Sequence, residues 1–173
     1  MERTFIILKP DTVQRGLTGE IITRFERAGL KIVGCKMLFP NKEDYYHHYE
    51  TISKMVSRRG QAAFDVTLEM MSKGPVIAIV LEGIEAVSLV RKMVGATEPK
   101  EASPGTIRGD FAHVSFNHAN SNNQGIANII HASGDSDEAK LEIAYWFSES
   151  EIFEYPVLHE TFTQPAGKNT KKK

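Results

Sequence analysis

The chain lacks several features that would fix its setting at once, and each lack narrows the choices. It has a single cysteine, Cys35, which cannot form an internal disulfide or by itself a zinc site; its apolar, strand-like neighbours predict a small core residue. The longest apolar run, Val76 to Leu81, is far too short to cross a bilayer, and Glu2 and Arg3 precede only a brief apolar strand rather than an export signal. Charge of one sign is missing too. Lys plus Arg number 21 and Asp plus Glu 22, a net charge of -1, so no global field attracts nucleic acid or an anionic membrane, and any anion site must be local. No G-x-x-x-x-G-K-[ST] occurs, which excludes a P-loop kinase, and no aromatic-basic RNP pattern supports RNA binding on a sheet. There is no internal repeat. A soluble, unexported, cytoplasmic protein is expected, with 173 residues sufficient for one domain.

The order of elements follows from periodicity. Arg3 to Leu8 reads as a strand ending at Lys9-Pro10-Asp11, and Thr18 to Ala28 as a helix with Ile21, Ile22 and Phe25 on one face. Lys31 to Leu38 predicts a second strand. Lys42 to Met55 has helical spacing interrupted near Ser57-Arg58-Arg59-Gly60, and Phe64 to Met71 predicts another helix. Val76 to Leu81 is continuously apolar, hence a strand buried on both faces, followed by a helix from Ile84 to Val94. Phe111 to Phe116 alternates and predicts a fourth strand, Asn117 to Gly125 a polar insertion with no reason to pack, and Asp135 to Phe147 a closing helix. Two β-α-β halves with four strands suit an α/β (α+β) fold of ferredoxin-like, split β-α-β type, a four-stranded antiparallel sheet covered by helices. Residues 1–162 form that domain and 163–173 a disordered basic tail.

The most informative run is N-I-I-H-A-S-G-D-S-D-E-A-K-L-E, from Asn128 to Glu142. Histidine can attack phosphorus and carry the phosphoryl group, provided its ring is neutral and held in one tautomer. If a helix starts near Asp135, Glu142 lies two turns in, and chain reversal brings it back to His131 as an orienter. A histidine before a helix is also commonly just a solvated or satisfied residue, so the choice depends on the rest of the chain. Three cations sit at loop edges: Lys9 after the first strand, Arg91 in a helix, and Arg108 in G-T-I-R-G-D between two glycines, where backbone can approach a ligand. Each alone reads equally as a surface charge. Thr97, near a helix end, offers a hydroxyl to a phosphate or to local backbone.

Taken together, T-F-I-I-L-K-P-D-T-V-Q-R-G-L, P-G-T-I-R-G-D-F and N-I-I-H-A-S resemble the nucleoside diphosphate kinase family, with similarity running with interruptions from about Arg3 to Phe153. The resemblance implies transfer of the γ-phosphate of a nucleoside triphosphate such as ATP to a nucleoside diphosphate, by a ping-pong route through a phosphohistidine, with Mg2+ carried on the nucleotide phosphates. By the same resemblance His131 is the nucleophile, Glu142 its orienter and Ser133 the hydroxyl beside it; Lys9, Tyr49, Arg91, Thr97 and Arg108 are phosphate-side ligands, and Asn128 meets the sugar. It further implies a homo-oligomer, a hexamer or tetramer built from dimers, for which the stiff loop holding Pro99, Ser103, Pro104 and Gly105 is the expected higher-order contact. The alternative within the same fold is a catalytically idle nucleotide-binding regulatory module.

The chain departs from the family pattern in four places. Thr12 and Ala132 stand where the family commonly has glycine. The stretch between Tyr49 and Gly74 is longer than usual and lacks the paired phenylalanines that stack on the base; Phe64 is the candidate ring, or else a core phenylalanine. A second added stretch spans about Asn117 to Gly125. His113, His118, His47 and His48 are expected at the surface, since no third ligand with suitable spacing makes a metal site.

Overall fold

The computed structural model describes residues 1–163; the expected tail, apart from Thr163, lies outside the described residues. Four strands form one antiparallel sheet in the order β2-β3-β1-β4: β1 (Glu2–Leu8), β2 (Lys31–Leu38), β3 (Val76–Gly83) and β4 (Ile130–Ala132). The two central strands, β1 and β3, are covered on both faces, which is why they read as unbroken apolar runs. Alternation sorts the side chains. Ile6, Leu8, Ile79 and Leu81 face α2 (Thr18–Arg27) and α6 (Ala86–Val94) in one core. Phe5, Ile7, Ala78 and Val80 pack in the other, with Met71 from α5 (Gln61–Met71) and Trp146 from α9 (Ser136–Trp146). Phe5, Ile6, Ile7 and Leu8 are each 0% exposed, and at about 1.5–3 kcal/mol per buried side chain they anchor the end of β1 where Lys9 emerges.

The fourth strand is not where alternation put it. Thr106 caps α7 (Ile107–Phe111), so Phe111 closes a helix, and Ser115 caps α8 (Phe116–Ser121), so Phe116 opens another; the extended residues between make no ladder. The free edge of β1 is taken instead by β4, whose three residues are too few to show a period. Asn117 to Gly125 also packs, contrary to expectation: Ala119 is buried, and Gly125 sits so close to the Val66 carbonyl and Met70 that it has no room for a Cβ. Cys35 is exposed rather than core, because β2 is an edge strand whose register shifts between Ile32 and Gly34. The remaining helices are α1 (Pro10–Gln14), α3 (Lys42–Tyr46), α4 (Met55–Arg59) and α10 (Glu160–Thr163), with one wide helical turn at His47–Ile52 and 3-10 turns at Pro99–Glu101 and Glu149–Glu151. No described helix is long and apolar enough to cross a membrane.

Candidate active site

Pairing fixes where His131 points. It stands opposite Ile7 across the β1–β4 ladder, so it shares the face of Ile7 and looks toward α9, while Ile130 and Ala132 look the other way. Asp135 caps α9 by accepting from the amides of Asp137 and Glu138, which starts the helix at the point that carries Glu142 back to the strand. His131 Nε2 lies 2.6 Å from Glu142 Oε1. Ser133 Oγ donates to the second oxygen, Glu142 Oε2, at 2.6 Å, and accepts from Phe5 N at 3.3 Å. Ser133 therefore sits behind the carboxylate, touching His131 only through Glu142. The carboxylate is 0% exposed. With Nε2 engaged, Nδ1 is the nitrogen left to face the cleft.

The approach to β4 is strained. Ile130 N donates to Asn128 O at 2.8 Å across Ile129, whose φ is +74, so Ile129 is the centre of a tight γ-turn in a conformation that β-branched residues rarely adopt. Every polar group of Ile129 is held: its N–H donates to Asp11 Oδ2 at 3.0 Å, and its carbonyl accepts from Lys9 N at 2.9 Å and from Thr12 Oγ1. The K-P-D sequence thus does three jobs. Lys9 ends β1, Pro10 starts α1 where its missing N–H costs nothing, and Asp11 clamps the turn before the histidine.

The cations converge on the same cleft, a cavity of ≈ 480 Å³ lined by Lys9, Tyr49, Arg91, Thr97, Arg108, Asn128 and His131. Lys9 Nζ donates to Asn128 Oδ1 at 2.7 Å, and Asn128 Nδ2 donates to Thr97 O at 2.8 Å, so the three form a bracket. Burial brings the Lys9 ammonium down to about 8; the Asp11 charge opposes this and those of Arg108 and Arg59 add to it. Arg108 is more committed still. Its guanidinium donates to Asn128 O at 3.1 Å, Gly95 O at 2.9 Å and Ile130 O at 2.6 Å, and burial with Arg91 and Arg59 nearby brings it down to about 10. Tyr49 is buried, with a hydroxyl that has no hydrogen-bond partner and a pKa raised by burial, so it presents a proton to the cleft. Burial, reinforced by Lys9, Arg108 and Arg91, holds the His131 ring well below the ordinary histidine range, and the imidazole is neutral. A neutral, oriented imidazole facing a ring of cations is suited to attacking an anionic phosphorus centre.

One expected site residue is not brought here. Phe64 is 4% exposed, in the core around Phe5 and Met71 with its ring edge-on to Tyr46, and it is not among the residues lining the cleft. Its position on α5 turns it under the helix, so of the two readings the core phenylalanine is the one the structure takes. Sequence reasoning also missed part of the lining. Arg58 and Arg59 line the cleft from α4, signalled only by an adjacent basic pair before a glycine, and Met55 and Met70 give it apolar wall.

His48 is the largest correction. Expected at the surface, it is 0% exposed. Its Nδ1 accepts from Trp146 Nε1 at 3.3 Å and stands 3.4 Å from Glu142 Oε1, and its ring meets that of His131 edge-on at 4.5 Å. Burial first, then the other histidine, bring it down to about 3, so it is neutral. His47 stacks on Tyr145 at 4.0 Å, and His113 and His118 are exposed as expected. His48, His131 and Glu142 bring three donor atoms within 4.8 Å of one another, but the carboxylate is already shared by His131 and Ser133, and two imidazoles suit a softer ion than Mg2+.

A family model described as "Nucleoside diphosphate kinase" matches residues 2–152. Among curated relatives, the nucleoside diphosphate kinase of Pyrococcus horikoshii is 49% identical over 156 residues, covering 90% of this chain and 90% of the relative. That of Borreliella burgdorferi is 44% identical over 155 residues, covering 90% and 92%. Among solved structures, the Borrelia burgdorferi enzyme in a transition-state mimic with vanadate and ADP superposes with a TM-score of 0.90 at 43% identity, covering 93% of this chain and 95% of that one. A Halobacterium salinarum nucleoside diphosphate kinase in complex with CDP gives a TM-score of 0.79 at 37% identity, covering 95% and 99%. With the sheet order, the histidine–carboxylate pair and the cation cleft pointing the same way, the chain belongs to the nucleoside diphosphate kinase family.

Proposed function

We propose that this nucleoside diphosphate kinase works through a phosphohistidine on His131. The observation that carries the reading is the 2.6 Å contact between His131 Nε2 and a fully buried Glu142, which leaves Nδ1 toward the cations. In the first half-reaction the Nδ1 lone pair attacks the γ-phosphorus of a nucleoside triphosphate. The bond from that phosphorus to the β-bridging oxygen breaks, and the nucleoside diphosphate departs with the electron pair. The Nε2 proton stays on the ring and donates to Glu142, which offsets the positive charge the imidazole acquires. A second nucleoside diphosphate then takes the phosphoryl group by the reverse of these steps. The transition state is loose and spreads charge over its equatorial oxygens, so positioning and cations account for most of the rate. In this reading Lys9, Arg91 and Arg108 supply those cations, Tyr49 and Thr97 supply hydroxyl donors, and Asn128 meets the sugar; all six line the cleft.

Mg2+ belongs to this reading as an ion carried by the nucleotide. Glu138 accepts from Ser53 Oγ at 2.6 Å and from Gly134 N at 2.7 Å, and Asp135 Oδ1 caps α9, which supports an ion held by the nucleotide phosphates rather than by these acids. Bound on the phosphates, the ion neutralises part of their charge. The protein acts in the cytoplasm as a homo-oligomer of dimers, a hexamer or a tetramer. Supporting assembly are the exposed apolar side chains Met37 and Phe39 at the sheet edge, 60% and 65% exposed, and the exposed Ser103, Pro104 and Gly105 of the proline-stiffened loop.

The test is direct. Incubation with radiolabelled ATP should give an acid-labile, base-stable phosphoprotein that discharges its label to GDP, and His131→Ala should abolish labelling while nucleotide binding persists. Full turnover by a verified His131→Ala preparation would refute the mechanism.

A further inference from the structure

His48 takes no part in the steps above, yet it lies against both groups that set them up. It is 0% exposed, its Nδ1 stands 3.4 Å from Glu142 Oε1, and its ring meets that of His131 edge-on at 4.5 Å. It does not line the cleft, so any effect it has on the reaction passes through Glu142 and His131.

Which nitrogen of His48 carries its proton decides what that effect is. A neutral imidazole has one donor and one acceptor nitrogen, and an indole can only donate. Trp146 Nε1 donates to His48 Nδ1 at 3.3 Å, so Nδ1 is the acceptor and the proton is on Nε2. The Nδ1 lone pair has nothing to give the carboxylate beside it, and Glu142 Oε1 keeps a single ring donor, His131 Nε2 at 2.6 Å. The opposite tautomer of His48 would turn a second N–H on the same oxygen and divide it between the two rings. Burial keeps the His48 ring neutral at ordinary pH, so no second proton upsets this order.

The arrangement is fixed from α9. Glu142 and Trp146 are four residues apart on one face of that helix, so the segment that delivers the carboxylate also delivers the indole that sets the His48 tautomer. Trp146 is itself buried and stacked on Phe5, their rings 13° apart. The Nε2 proton so placed has no hydrogen-bond partner among the described residues, a penalty that packing alone does not explain. Resting on the reading of His131 as the nucleophile, we propose that His48 is a positioning residue for the phosphoryl transfer. Locked by Trp146 as an acceptor, it leaves Glu142 Oε1 to His131, whose proton stays on Nε2 and whose lone pair on Nδ1 meets the phosphorus.

Isotope-labelled histidine, read by nitrogen NMR in the unmodified full chain, tests this first. Both His48 and His131 should carry the proton on Nε2, and a proton on His48 Nδ1 overturns the proposal without any variant. His48→Asn and His48→Phe follow, since an amide oxygen can take the Trp146 N–H and a phenyl ring cannot. In His48→Phe, single-turnover phosphorylation by ATP should fall roughly tenfold to a hundredfold, with the ATP concentration at half-maximal rate within about twofold and the His131 ring divided between tautomers. His48→Asn should recover most of the rate and the single tautomer. A His48→Asn no faster than His48→Phe would sink the proposal, because the acceptor would then not be what matters. If the unmodified chain takes no phosphoryl group on His131, the phosphohistidine reading itself fails. Rapid phosphorylation of the unmodified chain beside an unaffected His48→Phe would end only the role given to His48.

Discussion

At the scale of single residues, the site separates groups that act from groups that hold. Arg91 and Arg108 look equivalent in sequence, yet one makes a single long contact and the other satisfies three carbonyls. Arg91→Ala should therefore cut turnover about tenfold or more at unchanged stability, whereas Arg108→Ala should cut turnover and also cost about 2–4 kcal/mol by stranding those carbonyls. Thermal melts beside initial rates separate the two, and an Arg108→Ala melt equal to the unmodified protein would show the carbonyls find other partners. Lys9 sets a pH limit. Its ammonium is brought down to about 8, so phosphate binding should weaken as pH rises through 8. KM for the triphosphate should climb along that alkaline limb, and Lys9→Arg, which keeps its charge, should flatten it. His48 sets a limit on the other side. A buried histidine with a folded pKa of about 3 against an ordinary 6.5 takes up its proton more readily when unfolded, so its contribution to stability is lost as pH falls below 6.5. Urea denaturation at pH 7 and pH 5 should show that loss, and it should be smaller in His48→Asn, whose amide oxygen can still accept from Trp146 but cannot titrate.

Among elements, short segments with exacting geometry govern function. The G-T-I-R-G-D loop is an example: a Cβ on Gly109 would land on the carbonyls of Ser103 and Ala102. Gly109→Ala should displace α7 and Arg108 with it, costing about 1–3 kcal/mol and most of the activity, while Gly105→Ala, with open space around it but φ 89, should cost less. Hydrogen exchange across residues 103–111 would show whether the loop has moved. Legibility follows the same division. β1, β2, β3 and α9 appear in sequence within two residues of their ends because long apolar runs and caps announce them. β4 stayed hidden because three residues carry no period, and Phe111 to Phe116 imitated a strand because two capped helices happened to abut. His48 and Arg59 escaped for a related reason. Burial of one and cleft exposure of the other are set by how α3, α4 and α9 pack, which no local pattern encodes, whereas His131, Lys9 and Arg108 stand in runs specific enough to be read directly.

For the molecule as a whole, the sheet edge and the added stretches pose the question of assembly. Light scattering coupled to size exclusion at micromolar concentration should give four or six times the 19.3 kDa chain. A single-chain mass would refute assembly, and a mass of two chains would show that the second added stretch, packed against α5 beside the 103–105 loop in sequence, stops growth at the dimer.

The turn at Ile129 carries a consequence for how the fold comes apart. A γ-turn centred on a β-branched residue at φ +74 persists only because Asp11, Lys9 and Thr12 grip its every polar group, and such strain costs on the order of 1–3 kcal/mol. Local opening at this point releases the strain at once, whereas the central strands have none to release. The loop leading to His131 should accordingly open before the central strands do, and in rising urea catalytic competence should disappear before far-ultraviolet circular dichroism reports any loss of sheet or helix. Coincident transitions would mean that the grip on Ile129 is as cooperative as the core itself.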